Sequence, residues 1–491
     1  MHAYKTPAGL QHATEHVVIV LSVVCGCYAS QSLAEPPAEP LSVPTVRVEG
    51  HRHVDDDAAP RTVITREQMA DSMADLPEIL EQSPGLRTTR LGGLGSYSTV
   101  SIRGSTSEQV LIFVDGIPLN SGEGGPVNLA SLPLGPVDTV VVYRGISPVR
   151  FGGSAIGGVV SVHTRELDEP MVEVEGGGGH FGTRLARAFA GYGSDTWSLG
   201  ASLDYFGSLG DFTFTDDNGT RFDASDDRKI ARQNNHMDQV AALAKGHVSL
   251  GQDWALRALN LTTWQKSGLA GRANLQSKQT SLEQTRNLTS LRLEGLQLGN
   301  VVDFTVTGFL SWAETRLSDP LSEIGFGADE SRDTNWAPGV TTLLNVPIAF
   351  DEDELWGMRL SVTGQYRYES FEPGSSSSAV VGKASIRHFA MVASEIGFQL
   401  EPLDTEVIGS LRWESTWSTL TQPSNTFSLQ RDPPDQSGEE AITWRTALVQ
   451  RSIPMTELTI NVSSAVRFPS LYELFGNTGA VLGNPALKPE E

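Results

Sequence analysis

Between Met171 and Val466 the chain switches again and again between apolar and polar residues with a period of two. That pattern builds strands with one oily and one wet face. In Trp356–Tyr368 the even positions read Trp, Met, Leu, Val, Gly, Tyr, Tyr and the odd ones Gly, Arg, Ser, Thr, Gln, Arg. Trp197–Tyr205, Val302–Trp312, Val407–Trp417 and Leu458–Val466 alternate in the same way. About 13 such segments occur, many about 9 to 13 residues long, which is the reach of a tilted strand across a bilayer. Soluble sandwiches alternate too, so the ends decide: Trp197, Tyr205, Trp312, Trp356, Tyr368 and Trp417 fall at segment termini, where interfacial aromatic girdles belong. Beyond the N-terminus no apolar run approaches the roughly 18 residues of a spanning helix, so any membrane entry is by strands. The expected architecture is a barrel with its apolar face to lipid and its polar face to the lumen.

The connections agree. Residues 193–196 and 299–301 are short turns, whereas 207–237, 317–334 and 419–442 are long and polar, the asymmetry of short inner turns and long outer loops. The richest outer loop, residues 210–235, carries Asp216, Asp217, Asp223, Asp226 and Asp227, which could take a hard cation such as calcium. Aligned to an EF-hand with Gly219 at the sharp turn, it puts Phe214 and Ser225 at ligand positions, so a solvated acidic loop is the favoured reading.

The N-terminus points to export. Val17–Ala29 is an apolar core of signal-peptide length, with Ser32-Leu33-Ala34 as a small-x-small cleavage site, so residues 1–34 are expected to be removed. Both cysteines, Cys25 and Cys27, lie inside it, and the mature chain then needs no disulfide chemistry. A lipid-attachment site at Cys25 or Cys27 is the lesser reading, because Val24 stands where leucine is favoured. Residues 35–44 form a proline-rich linker, followed by Thr45, Val46, Arg47 and Val48, a β-prone stretch on a tether. It reads either as a first strand or as an edge offered to a strand of another protein. The formal net charge of −23 argues against a nucleic-acid partner.

Residues 45–165 form a compact α+β domain of a different rhythm. Thr65 and Gln68 fit a capping box for a short helix to about Met73, and Leu76, Ile79 and Leu80 stripe a second helix stopped by Pro84-Gly85. Val110–Val114, Thr139–Tyr143 and Gly158–Val162 read as buried strands bounded by Asp115-Gly116, Arg144-Gly145 and paired glycines. Between them lie the loops 91–98 and 120–128, where glycine permits close approach of backbone to a ligand and Tyr97 offers an amphipathic ring. The glycine run 152–158 lacks the ending of a phosphate loop, and no zinc-protease helix occurs, so no catalytic residue is proposed and no enzyme is expected.

Taken in order, DLPEILEQSPG (75–85), SIRG…VLIFVDGIPLN (101–120), VYRG…VRFGGSAIGGVVSV (142–162) and RFPSLYELFG…GNPALKPE (467–490) resemble the TonB-dependent outer-membrane receptors, with a plug most similar to the cobalamin receptor type. FTFTDDNGT (212–220) also resembles an outer loop of relatives. The resemblance implies an α+β plug domain (45–165) inside an antiparallel transmembrane β-barrel (from 166), about 22-stranded in the family, in the bacterial outer membrane. It implies import of a scarce metal chelate, a ferric siderophore or cobalamin, driven by a TonB complex that pairs with Thr45, Val46, Arg47 and Val48. Substrate would meet plug loops at Gly92, Gly93, Leu94, Gly95, Ser96, Tyr97, Ser121, Gly122, Glu123 and Gly124. Arg103 and Arg144, each before glycine, fall where family arginines support the plug against the wall.

In the family several strands follow the RFPSL…GNPALKPE stretch, so the chain, ending at Glu491, is expected to supply a partial barrel. The alternatives are a passive porin or adhesin, a non-transporting fragment of a receptor, and a soluble β-rich periplasmic binding protein.

Overall fold

A computed structural model describes residues 59–491 apart from 71–74, 146, 154, 167–169, 195, 221, 273, 299–301, 325–328, 351–355, 375–383, 422–435, 454–455 and 477–482. The signal segment, the linker and Thr45–Val48 therefore lie outside the described residues.

The first unit is a mixed sheet with two short helices. Strands β1 (Arg61–Thr65), β2 (Leu86–Arg90), β3 (Ser98–Ile102), β4 (Val110–Val114), β5 (Ile117–Pro118), β6 (Val137–Arg144) and β7 (Gly158–Thr164) form a five-stranded sheet, ordered β1-β6-β7-β4-β5, and a β2–β3 hairpin. β4 and β7 run parallel and the other neighbours antiparallel. The three apolar runs expected as strands are its centre, and Val140, Val142, Val160 and Val162 are buried with them. Helix α1 (Arg66–Ala70) opens with the Gln68 side chain accepting from Thr65 N at 3.0 Å. Helix α2 (Leu76–Glu81) starts at Asp75, whose carboxylate accepts from Glu78 N at 3.1 Å, and buries Leu76, Ile79 and Leu80. Each such side chain contributes about 1.5–3 kcal/mol on leaving water. The Asp115-Gly116 turn has positive φ at both residues, 46° and 82°, as a two-residue hairpin between β4 and β5 demands.

The wall follows: β8 (Met171–Gly178), β9 (Arg184–Ser194), β10 (Trp197–Ser208), the loop hairpin β11 (Thr213–Asp216) and β12 (Arg228–Ala231), β13 (Met237–Ser249), β14 (Trp254–Gly268), the loop bridge β15 (Gly271–Arg272) and β16 (Leu275–Gln276), β17 (Ser281–Leu298), β18 (Val302–Asp319), β19 (Asp329–Phe350), β20 (Trp356–Glu372), β21 (Ser385–Leu400), β22 (Thr405–Leu420), β23 (Gln436–Gln450) and β24 (Leu458–Ser463). Thirteen of them pair antiparallel in one sheet, in chain order from β8 to β24. Among the described residues β8 and β24 pair on one side only. After β24 the chain makes a short helix, α3 (Leu471–Phe475), and a bridge between Arg467 and Glu490.

Burial is inverted relative to a soluble sheet. Along β22, Arg412, Glu414, Thr416 and Ser418 are buried, Glu414 to 1% exposure, while Leu411, Trp413 and Trp417 stand out, Trp417 at 60%. Polar residues face inward against the plug and apolar ones face outward, which is the arrangement lipid requires.

The strands are longer than the expected 9 to 13 residues: β17 and β18 have 18, and β19 has 22. Their ladders run on beyond Trp312 to Asp319, because backbone groups there still pair with the neighbouring strand rather than stay unmatched. The aromatic residues accordingly mark the lipid boundary better than the strand ends. Trp197, Trp254 and Trp356 open their strands at the short-turn end, whereas Tyr205, Trp312, Tyr368 and Trp417 sit inside theirs. The two bands lie about ten residues apart, about 33 Å along a strand at about 3.3 Å per residue, which a tilt of about 40° shortens to close to the roughly 25 Å apolar belt of outer-membrane barrels.

Candidate functional site: the plug, its outer loops and the lumen

Long connections cluster at the end where β10 stops and β13 starts, so that end is the outer one. Both predicted plug loops are found there. Wall residue Gln265, near the outer end of β14, donates to Gly95 O at 2.6 Å, and Asn128 donates to Gln284 on β17 at 2.7 Å. Asn335 on β19 donates to the Glu123 carboxylate at 3.2 Å, and Arg286 on β17 to Leu119 O at 3.3 Å.

In this structure the loop glycines are approached by protein side chains. A Cβ on Gly95 would run into Met237, one on Gly122 into Glu369, and one on Gly124 into Ser470. Gly93 approaches Asn235, and Gly92 packs against Ser96 of its own loop. Close approach here is of plug to wall and to the segment after β24. Leu94 and Ser96 are half-buried in the same loop, as is Ser121 in the second.

Tyr97 is also committed: its hydroxyl donates to Pro126 O at 2.6 Å and ties the two loops together. Burial, with Glu108 and Glu123 nearby, pushes its phenol up to about 12, so it keeps the proton it donates. Asn128, the last residue of the second loop, organises the same region. Its side-chain oxygen accepts from Ser98 N at 3.0 Å and from Ala130 N at 3.2 Å.

Glu123 is the acidic group of this outer cluster. Burial, then the charges of Asp333 and Glu369, outweigh the Asn335 hydrogen bond and Arg286 and push its carboxyl up to about 7. Its backbone oxygen and that of Gly122 accept from Tyr472 N at 3.0 Å and Leu471 N at 2.7 Å, so the plug satisfies the first two free donors of α3 while the Ser470 hydroxyl takes Glu473 N. Arg467 holds the segment in shape through Glu473 at 3.0 Å and Glu490 at 2.8 Å.

Arg103 and Arg144 are placed otherwise than as wall supports. Arg144 donates to Thr62 within the plug, and Arg103 is exposed in a turn at φ 52°, its N–H donating to Gly85 O. Contacts to the wall come from other residues. Arg412 donates to the plug carbonyls of Gly153, Ser147 and Pro148 at 2.9, 3.0 and 3.2 Å. Arg66 and Arg165 of the plug both grip Glu173 on β8, at 2.7 and 2.8 Å. At the inner end Lys245 donates to Thr164 O and Arg165 O, and Arg292 to Asp115 O at 2.9 Å. The signal for such residues was present: Arg412, Arg292 and Lys245 stand in the polar phase of alternating strands.

The loop aspartates accept hydrogen bonds from backbone and side chains of their own loop. Asp226 accepts from Asn218 at 3.1 Å and Thr220 at 2.8 Å, Asp223 from Ser225, and Asp217 from Gly219 N, while Asp216 accepts from Asn218 N. Asp227 is in the same loop. Among the described residues no group of three or more His, Cys, Asp or Glu side chains is arranged to hold a metal.

Comparison with known proteins agrees with this geometry. The TonB-dependent Receptor Plug Domain family matches residues 53–159, and the family described as TonB dependent receptor-like, beta-barrel, matches residues 176–491. Among solved structures, the Serratia marcescens hemophore receptor HasR, in complex with its hemophore HasA and heme, superposes at TM-score 0.71 with 18% identity over 89% of this chain and 68% of that one. The copper transporter OprC superposes at 0.69 with 14% identity, over 87% of this chain and 68% of that one. The unliganded ferric citrate transporter FecA superposes at 0.66 with 17% identity, over 84% and 63% respectively. The chain thus spans about two thirds of the length of these receptors. At these identities the superpositions speak for the fold, a plug with an antiparallel barrel sheet around it. Taken with the matched residues, they show that the chain belongs to the TonB-dependent receptors of the Gram-negative outer membrane.

Proposed function

We propose that the chain serves energised import of a scarce metal chelate across the outer membrane, by binding it at the outer plug loops and releasing it inward when the plug is moved. The observation that carries this reading is the filled lumen. The plug is hydrogen-bonded to the wall at its outer end through Gln265 and Asn335 and at its inner end through Lys245 and Arg292, so passive flow in the manner of a porin would need these bonds broken. A source of work is then required, and the tethered Thr45–Val48 is the natural handle for strand pairing with TonB.

The substrate class is a ferric siderophore or a related metal complex, with cobalamin as the narrower reading suggested by the plug motifs. The similar receptors are described with heme, copper and ferric citrate, which favours the broad class over the narrow one. The test is uptake of iron-55 ferric citrate, a ferric catecholate, hemin, copper and radiolabelled cobalamin by cells whose own receptors are deleted. Energised uptake of one probe that vanishes with a protonophore is the expected result. Uptake insensitive to the protonophore would replace the importer with a passive channel.

A further inference from the structure

One stretch of the outward face of the wall carries polar groups at a depth where lipid demands apolar ones. On β20 that face shows Met358, Leu360 and Val362 between Trp356 and Tyr366. On β14 and β17 the faces are equally distinct, since Leu259, Leu261, Thr263 and Leu288 are buried on the inside and Leu291 stands out at 54% exposure. The outward positions of β14 between Trp254 and Trp264 therefore include Asn260 and Thr262, and across the ladder from them stand Thr289 and Asn287 of β17. The four side chains close a ring. Asn260 donates to Thr289 at 2.8 Å, Thr289 to Asn287 at 2.9 Å, Asn287 to Thr262 at 2.7 Å and Thr262 to Asn260 at 3.2 Å. On a strand tilted by about 40°, Thr262 and Asn260 lie about 5 and 10 Å deeper than Trp264, inside the apolar belt. Each amide spends one N–H within the ring, and the second N–H of Asn260 and of Asn287 is left to find an acceptor where there is no water.

The flanks of the ring differ in a way that makes the surface complementary to itself. On one side β13 brings the small, exposed Ala242 and Ala244 level with the ring. On the other side β18 brings Trp312 and Leu310. Nearer the outside, the register row Asp238, Lys266, Glu283 and Arg316 crosses the same four strands with alternating sign. Lys266 is exposed and has no salt bridge among the described residues. A two-fold axis along the membrane normal keeps two copies the same way up, and one passing between β14 and β17 exchanges the flanks. The Leu310 and Trp312 ridge of each copy then lies over the alanine trough of the other, Lys266 faces Glu283, and the Asp238 flank faces the Arg316 flank. Opposite shapes and opposite charges meet, and the spare amide hydrogens reach a second set of amide oxygens.

We propose that the outward face of β13, β14, β17 and β18 is the interface of a homodimer in the outer membrane, with the ring of Asn260, Thr262, Asn287 and Thr289 paired to the same ring of a second copy. In lipid, association comes from hydrogen bonds and close packing against small residues rather than from the hydrophobic effect, and this face supplies both. The proposal does not depend on which substrate is carried.

The experiment reconstitutes the full chain in lipid vesicles and reads association by energy transfer between two separately labelled populations. The unsubstituted protein is expected to dimerise. Asn260→Leu combined with Asn287→Leu removes the amides yet suits lipid, so the barrel still folds, as heat-dependent mobility in detergent gels checks. It is expected to raise the dissociation constant at least about tenfold. Ala244→Trp, which fills the trough and leaves the ring intact, should do the same. Lys266→Glu should weaken the dimer, and adding Glu283→Lys to the same chain should restore it, a rescue that a purely structural role would not give. A monomeric unsubstituted protein, or a dimer indifferent to all these substitutions, overturns the proposal. A monomer that retains a tightly bound lipid, lost in the leucine variant, assigns the ring to lipid and overturns it as well.

Discussion

Arg412 on β22 and Gly153 in the plug are 259 residues apart in sequence, yet the guanidinium Nη1 donates to the glycine carbonyl at 2.9 Å in a buried setting. The second nitrogen takes the carbonyls of Ser147 and Pro148, so one wall side chain fixes the plug segment 147–153. Arg412→Ala leaves these acceptors without their charged donor and is expected to cost about 2–4 kcal/mol of plug seating. Hydrogen exchange over residues 147–153 should rise in the variant. Arg412→Lys should recover only part of the loss, because a single ammonium cannot span the fork.

Gly158 opens β7 at φ 137°, and a Cβ there would meet the backbone oxygen of Tyr143, which cannot rotate away. Gly158→Ala should therefore destabilise the plug by about 3 kcal/mol or more. Gly104 also has positive φ but no atom within 4 Å of the added Cβ, so Gly104→Ala should cost only about 1 kcal/mol. Limited proteolysis of the plug in increasing urea separates the two.

Glu123 gives the outer loop a pH dependence. Its ordinary value is 4.5 and burial pushes it up to about 7, so between those values the folded protein holds a proton that the unfolded chain has released. The stability it contributes is present below about 4.5 and lost as the pH rises through about 7. Arg286 on β17, Asp333 on β19, Glu369 on β20 and Tyr472 at α3 share its surroundings. Glu123→Gln should flatten the melting profile over this window and leave the variant relatively more stable at pH 8. A parallel pH dependence in both proteins would assign the effect to another group.

Calcium should bind the 210–235 loop weakly or not at all, because Asp217, Asp223 and Asp226 are already spent on loop hydrogen bonds. Millimolar calcium is expected to leave the melting temperature unchanged, whereas a site of extracellular-module affinity would raise it.

Val46→Pro removes a backbone donor from the stretch expected to pair with TonB. Energised uptake should be lost while surface binding of the probe persists. Retained uptake would move the handle elsewhere in the N-terminal tether.

Local pattern determined a good deal by itself. Alternation with a period of two and aromatic pairs about ten residues apart define a lipid-facing sheet with a wet interior, because each side chain's face follows from its parity alone. The buried valine runs and the Asp115-Gly116 turn define the plug sheet for the same local reasons. Only the tertiary structure decided which side chains the loop glycines meet. Gly95, Gly122 and Gly124 are needed by Met237, Glu369 and Ser470, partners far along the chain that no window of sequence contains. It likewise moved the wall contacts from Arg103 and Arg144 to Arg412, Arg66 and Arg165. Which arginine meets which carbonyl depends on how the plug is turned within the sheet, and that rotation is fixed by the sum of many weak contacts across the lumen.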